Sequence, residues 1–190
     1  MADPGWLCPD KRWSLFLDRD GVINERLPGD YVKSPSSFVF IPGAAEAIAR
    51  LSKVYGWIFI VTNQQGIGRG LMSDADLKMV HDHMLAEIGN GGGSIHAVYY
   101  CPHRAEDGCA CRKPATGMFD KAVAQFPEID GVRSVMVGDS LSDMLFARNA
   151  GMHCVAAGGN EEAERLADAG VADLNAFADI ILEQKNKQIL

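Results

Sequence analysis

Leu15-Phe16-Leu17-Asp18-Arg19-Asp20-Gly21-Val22 is the stretch on which the reading of this chain turns. An apolar run ends in two aspartates at i and i+2, followed at once by glycine. Along an extended chain, side chains at i and i+2 point the same way. A buried strand that ends here presents both carboxylates at its C-terminal edge, the side on which open parallel α/β sheets bind ligands. Two like charges this close require a cation, a shared proton or divided roles. An isolated Asp-x-Asp-Gly also fits a strand followed by an acidic turn, so the surrounding chain must decide.

Outward from that strand, Arg19 to Phe40 is rich in Pro, Gly, Asp and Ser and reads as a loop. A loop this long either covers the site or lies idle on the surface. Pro42-Gly43 opens a helical segment with Ala44, Ala47, Ile48 and Leu51 at helical spacing. Ile58 to Val61 is a run typical of a strand buried on both faces, and it ends in Thr62-Asn63-Gln64-Gln65-Gly66-Ile67-Gly68-Arg69-Gly70. Ser73 is placed as the N-cap of a helix reaching about Ile88. Ile95 to Tyr100 predicts a third strand, Met118 to Phe126 a helix, and Val132 to Val137 a fourth strand ending in Gly138-Asp139-Ser140. Leu141 to Ala150 is helical and stops at Gly151, Cys154 to Ala156 is a short strand, and Glu161 to Leu182 reads as mostly helical. The alternation predicts an α/β fold: a single doubly wound, Rossmann-like domain over 1–190, with a mainly parallel sheet and no large cap. Met118, Met136 and Met144 are expected in the core, Cys154 as a small core residue, and His81 and His83 at the surface.

The net charge of −7 and pI near 5.2 leave no basic surplus to hold nucleic acid through its phosphates. No run approaches the ~20 apolar residues of a membrane span, and Met1 to Arg12 lacks the apolar core of a signal peptide. Three of the five cysteines crowd between 101 and 111 with a histidine, which points to metal rather than disulfides and to a reducing compartment, the cytoplasm. An acidic protein that handles anions needs a local positive site, and Arg112-Lys113-Pro114 supplies one directly beside that cluster.

Three constellations carry chemistry. Asp18 and Asp20 after one strand, with Asp139 and Asp143 after another, offer hard oxygen ligands suited to Mg²⁺ if those strand ends are neighbours. Asp143 also reads as an acid placed at a helix N-terminus to complement its dipole. Thr62 and Asn63, with the adjacent backbone N–H groups, form a cradle for phosphate oxygens. Gly66, Gly68 and Gly70 have the wrong spacing for a dinucleotide fingerprint. Cys101-x-His103 and Cys109-x-Cys111 fill a tetrahedral Zn²⁺ shell, and a full shell is structural. Its task is to hold Arg112 and Lys113 in a fixed place.

Taken together, Asp18-Arg19-Asp20-Gly21-Val22, Val61-Thr62-Asn63, Lys113 and Gly138-Asp139-Ser140-x-x-Asp143 resemble, in order, the four motifs of the haloacid dehalogenase superfamily of phosphatases. The match spans about residues 13 to 157. The Thr62–Gly70 stretch and the Cys/His loop resemble more narrowly the D-glycero-D-manno-heptose 1,7-bisphosphate phosphatases and the related histidinol-phosphate phosphatases. Arg69-Gly70 and Gly117-Met118 favour the heptose branch. Ser140 stands where some heptose enzymes carry a substrate-contacting lysine, which puts that contact and anomer preference in doubt.

The resemblance implies hydrolysis of a sugar phosphate through an aspartyl-phosphate, namely removal of the 7-phosphate of the heptose bisphosphate in ADP- or GDP-heptose biosynthesis. It implies Asp18 as nucleophile, Asp20 as acid and base, and Thr62 and Lys113 on the transferring phosphoryl group. Mg²⁺ would be held by Asp18, the Asp20 carbonyl and Asp139. Asn63, Gln64, Gln65, Arg69 and Arg112 would contact substrate, Arg112 through the second phosphate. The partner is a small phosphorylated sugar, and the family is often monomeric. Histidinol phosphate is the alternative substrate, for which Asp30 and Tyr31 would answer an amine and an imidazole. A phosphosugar mutase would need a cap, for which only the loop from Arg19 to Phe40 leaves room.

Overall fold

Six parallel strands carry the molecule: β1 (Ser14–Leu17), β2 (Trp57–Asn63), β3 (Ala97–Cys101), β4 (Ser134–Gly138), β5 (His153–Ala157) and β6 (Ala169–Val171). Their order, β3-β2-β1-β4-β5-β6, reverses direction between β1 and β4. The computed structural model describes residues 5–188. The first four residues of the stretch read for a signal peptide lie outside them, as do residues 189 and 190.

The connections are α1 (Ala44–Leu51), α2 (Asp74–Asn90), α3 (Gly117–Gln125), α4 (Leu141–Asn149), α5 (Glu161–Glu164) and α6 (Leu174–Gln188). Strand residues alternate between two cores, as the pleat requires. Leu15, Leu17, Ile58, Ile60, Val135 and Val137 pack against α1, α2 and α6. Phe16, Phe59, Val61 and Met136 pack against α3, α4 and α5, together with Met118 and Met144. Because both faces are covered, the inner strands show the unbroken apolar runs visible in the sequence. Cys154 is buried as a small core residue. The Ser73 cap is also as expected: its Oγ accepts from the Asp76 N–H at 3.1 Å, and the Asp76 carboxylate accepts from the Ser73 N–H at 2.8 Å.

One prediction is met only in part: Glu161 to Leu182 is mostly helical, in α5 and the start of α6, but β6 interrupts it. β6 has only three residues, Ala169-Gly170-Val171, so its apolar signal is too weak to interrupt a helical pattern. It forms because the free edge of β5 accepts it in register, Val155 opposite Ala169, while the Asp168 carboxylate accepts from the Cys154 N–H at 2.9 Å. Smaller shifts occur at strand starts: Val132, expected in β4, is 70% exposed and precedes it.

The segment between β1 and α1 is packed rather than idle. Val22, Ile23, Val32 and Phe38 are buried in it, and Asn24 bridges to both Asp20 and Phe40. Gly21 makes the first bend possible: its φ is +96°, and a Cβ there would lie 2.0 Å from an Asp139 oxygen.

Phe16 is fully buried, with ring centroids 5.0 Å from Phe59 and 5.6 Å from Phe119. Phe16→Ala is therefore expected to cost about 3–5 kcal/mol in urea unfolding, the usual loss for emptying such a site; a cost under about 1 kcal/mol would mean that the aromatic layer does not hold α3 to the sheet.

Candidate active site

The strand reversal between β1 and β4 places Leu17 opposite Val137, so Asp18 and Asp139 emerge side by side at the carboxyl edge of the sheet. This is the crevice where doubly wound sheets bind ligands. Asp143, on the first turn of α4, joins them, and each of the three offers an oxygen within 4.8 Å of the others. The expected convergence of the two strand ends is present. Gly138 permits it, since a Cβ there would meet Asp143 Cβ at 2.3 Å. Asp20 lines the same pocket as Asp18, but its carboxyl is engaged elsewhere: by Arg19 at 2.9 and 3.0 Å, Asn24 at 2.9 Å and Gln64 at 2.8 Å. Its backbone carbonyl faces Asp139 across a cationic group, because Arg26 Nη2 sits 2.9 Å from Asp139 Oδ1 and 3.5 Å from the Asp20 oxygen. A positive charge already fits between these oxygens, which is the donor set a hard divalent cation requires.

Lys113 is buried among them. Its Nζ donates to Asp18 Oδ1 at 2.8 Å and to the Val61 carbonyl at 2.8 Å, and lies 2.5 Å from Asp143 Oδ1. Two ammonium protons are thereby hydrogen-bonded, and the contact with Asp143 is a buried ion pair. The Asn63 side chain clasps the Lys113 backbone from both sides, accepting from its N–H at 3.0 Å and donating to its carbonyl at 3.2 Å. Asn63 lines the pocket, but its amide is committed to Lys113 rather than free for substrate, as the sequence reading had it. Gln64 is a clearer departure. It is fully buried, and its Nε2 donates to Asp20 and, at 2.8 Å, to Thr62 Oγ1. Its Nε2 is thus committed to Asp20 and Thr62, while its Oε1 is buried without a hydrogen-bond partner. Thr62, Gln65, Arg69 and Arg112 do line the pocket, a cavity of about 510 Å³ walled on the other side by Arg26, Leu27, Asp30 and Tyr31. The long loop covers the site.

Beside this pocket the four Cys/His donors converge. Cys111 Sγ lies 2.9 Å from Cys101 Sγ, 3.6 Å from Cys109 Sγ and 3.2 Å from His103 Nδ1. The group could hold a metal ion, and Arg112 and Lys113 follow its last member directly.

A family profile described as HAD-hydrolase-like matches residues 110–180. The D-glycero-alpha-D-manno-heptose-1,7-bisphosphate 7-phosphatase of Mycobacterium tuberculosis is 40% identical over 171 residues, 88% of this chain and 90% of the relative. The beta-anomer 7-phosphatase of Bordetella bronchiseptica is 37% identical over 90% of this chain and 98% of its own length. The chain belongs to the heptose-bisphosphate phosphatase family of the haloacid dehalogenase superfamily. A crystal structure of a D,D-heptose 1,7-bisphosphate phosphatase from B. bronchiseptica, complexed with magnesium and phosphate, matches it with a TM-score of 0.82 at 34% identity, over 90% of this chain and 99% of that one.

The electrostatics of this phosphatase separate its two neighbouring aspartates. Burial lifts the Asp18 carboxyl to about 7, with the Lys113 charge opposing and Asp143, Asp139 and Asp20 adding to the rise. Burial likewise lifts Asp139 to about 6 against the pull of Arg26. Burial acts on Asp20 too, but the Arg19 charge and the bonds from Asn24, Arg19 and Gln64 outweigh it and hold the carboxyl below its usual range. Lys113 would be lowered by burial alone; Asp143 and Asp18 keep it above its ordinary value.

Several groups here escaped the sequence reading. Asp143, read both as an acid at a helix N-terminus and as a candidate cation ligand, accepts from Ser140 N–H and Oγ, at 3.1 and 2.6 Å, and pairs with Lys113, a contact the sequence did not show. Ser140 therefore caps α4 at the pocket edge. Arg19, Asn24 and Arg26 lie in a loop whose composition gave no ligand signal. His81, expected at the surface, is buried at 7% exposure against Arg19; i, i+2 spacing to His83 said only that the two do not share a face.

Between about pH 4 and pH 7 the folded chain keeps protons on Asp18 and Asp139 that the unfolded chain has released, so their contribution to stability falls as pH rises. His81, which burial holds at about 3, works the other way below its ordinary value of about 6.5. Comparing melting with and without Mg²⁺ at each pH cancels the His81 contribution. Because the ligands must lose protons to bind, the Mg²⁺-induced rise in Tm is expected to be larger at about pH 7.5 than at about pH 5. At 100-fold excess over Kd it corresponds to about 2.7 kcal/mol. A shift equal at both pH values, or larger in acid, would place the cation elsewhere.

Proposed function

We propose that this phosphatase removes the 7-phosphate of D-glycero-D-manno-heptose 1,7-bisphosphate through a covalent aspartyl-phosphate. The observation that carries the substrate assignment is the charge distribution of one cavity: a buried Asp18–Lys113 pair at its floor, and Arg26, Arg69 and Arg112 around it. A bisphosphate uses both sets. Histidinol phosphate would leave the arginines without an anion.

In the first step a carboxylate oxygen of Asp18 attacks phosphorus, and the bond from phosphorus to the sugar oxygen breaks. Thr62 Oγ1 accepts from Gln64, so its own proton is free to turn toward a phosphoryl oxygen, beside the Lys113 ammonium. The departing alkoxide takes a proton from Asp20. The arrangement of Asp20 favours its ionised form, so the acid form needs the substrate's negative charge beside it to raise its affinity for a proton. The second step uses the ionised form directly: Asp20 removes a proton from the water that attacks the aspartyl-phosphate, and Asp18 is released with inorganic phosphate. Asp18, the Asp20 carbonyl and Asp139 would hold Mg²⁺, which would supply positive charge to offset repulsion between nucleophile and phosphate.

The Cys101, His103, Cys109 and Cys111 set has the donor chemistry of a closed structural Zn²⁺ site, which would fix the loop delivering Arg112 and Lys113. Among the described residues no helix is long and apolar enough to cross a membrane. The five cysteines, all free of disulfides, fit the reducing environment of the cytoplasm; the reading of one domain and one protomer rests on the family alone.

Side-by-side kcat/KM measurements with Mg²⁺ on both heptose bisphosphate anomers and on histidinol phosphate test the assignment. A preference of about 100-fold, or ~2.7 kcal/mol, is expected for the bisphosphate. Asp18→Asn should abolish turnover while its zinc content stays at the wild-type level. A preference for histidinol phosphate, or an active Asp18→Asn protein, would overturn the reading.

A further inference from the structure

Arg19 is fully buried although it carries a charge. Its Nη2 donates to both Asp20 oxygens, and its Nη1 lies 3.1 Å from Nε2 of His81, in the middle of α2. A guanidinium has only donors. Nε2 must therefore accept, and the imidazole is the neutral tautomer with its proton on Nδ1. The ring is closed in by Tyr100, whose centroid is 6.0 Å away and whose hydroxyl donates to Asp74 at 2.8 Å, tying β3 to the first turn of α2.

The residue type at this position matters. A carboxylate facing Nη1 would form its own ion pair with Arg19 and draw the guanidinium away from Asp20. An apolar side chain would leave Nη1 buried without a partner, at the desolvation cost of an unmade bond. Arg19 already has one such group, since its Nε has no partner. A neutral imidazole satisfies Nη1 without adding charge, so the whole electrostatic pull of Arg19 falls on Asp20.

We propose that His81 is a positioning residue of the phosphatase reaction: its neutral Nε2 fixes the Arg19 guanidinium, which in turn holds the Asp20 carboxyl in place to pass a proton to the leaving sugar oxygen. The proposal rests on the reading of Asp20 as the acid. Asn24 and Gln64 also hold Asp20, so loss of His81 weakens the placement without abolishing it.

Leaving-group dependence separates this role from a merely structural one. A sugar alkoxide needs a proton to depart, whereas p-nitrophenolate leaves unaided. Rapid-mixing experiments on His81→Leu should show phosphoryl transfer from heptose 1,7-bisphosphate slowed about 10- to 100-fold, as for a misplaced catalytic group. KM and the p-nitrophenolate burst should each change by less than about threefold, because neither uses the acid. His81→Gln, whose side-chain oxygen can accept from Nη1, should recover most of the loss. Equal losses on both substrates, an effect confined to KM, or no recovery with Gln would overturn the proposal. Asp20→Asn serves as the reference. If it lacks the same leaving-group bias, the reading of Asp20 falls and the proposal with it. If it shows the bias and His81→Leu does not, only the proposal falls. Should His81→Leu fail to fold, ¹⁵N spectra of the wild-type imidazole decide at neutral pH: an unprotonated Nε2 supports the role, and a protonated one contradicts it.

Discussion

The buried ammonium of Lys113 ties the ends of three strands together. It donates to Asp18 after β1 and to the Val61 carbonyl within β2, and forms an ion pair with Asp143 on the helix that follows β4. Burying this charge is costly, and only a full set of partners offsets the cost; removing one partner of such a buried set typically destabilises by about 3–5 kcal/mol. The arrangement is therefore over-determined from outside. Asn63 grips the Lys113 backbone, and the Cys/His loop ends one residue before Arg112. The sheet order supplies the rest, because only the reversal between β1 and β4 brings Asp18 and Asp139 together.

Two aspartates two residues apart end up in opposite electrostatic states. Asp18 is surrounded by other carboxylates and pays for burial, so that a cation is needed to hold it ionised. Asp20 is wrapped in donors and is ionised by them. Divided environments of this kind let one short motif provide both a nucleophile and a proton carrier. The chain is acidic overall, with a net charge of −7, yet Arg26, Arg69, Arg112 and Lys113 share one cavity. Local placement, not composition, decides what this surface attracts.

Much of this was legible in the sequence, for identifiable reasons. β1, β2 and β4 carry unbroken apolar runs because both of their faces are buried, and each run stops where polar chemistry begins. The Cys/His spacing stands out because accidental clustering of such residues is rare. What stayed hidden depends on contacts between distant segments. β6 has three residues and exists only because β5 offers an edge. His81 meets Arg19 across 62 residues of chain, and Gln64 reaches back 44 residues to Asp20. Neither contact leaves a local pattern: His81 read as polar surface, and Gln64 as a substrate contact. Asn63 lines the pocket, but its side chain holds the Lys113 backbone, a partner that spacing does not reveal.

The most direct test of the account asks whether phosphorus becomes bonded to Asp18. The Mg²⁺-loaded enzyme would be mixed with heptose 1,7-bisphosphate, quenched in acid within one turnover and reduced with borohydride before peptide mass spectrometry. An aspartyl-phosphate is converted by this treatment to homoserine. The account predicts homoserine at position 18 and at no other aspartate, Asp20, Asp139 and Asp143 included. Product formation in the quenched samples with residue 18 left as unmodified aspartate would show that water attacks phosphorus directly, and the buried Asp18–Lys113 pair would then have to be explained without a covalent intermediate.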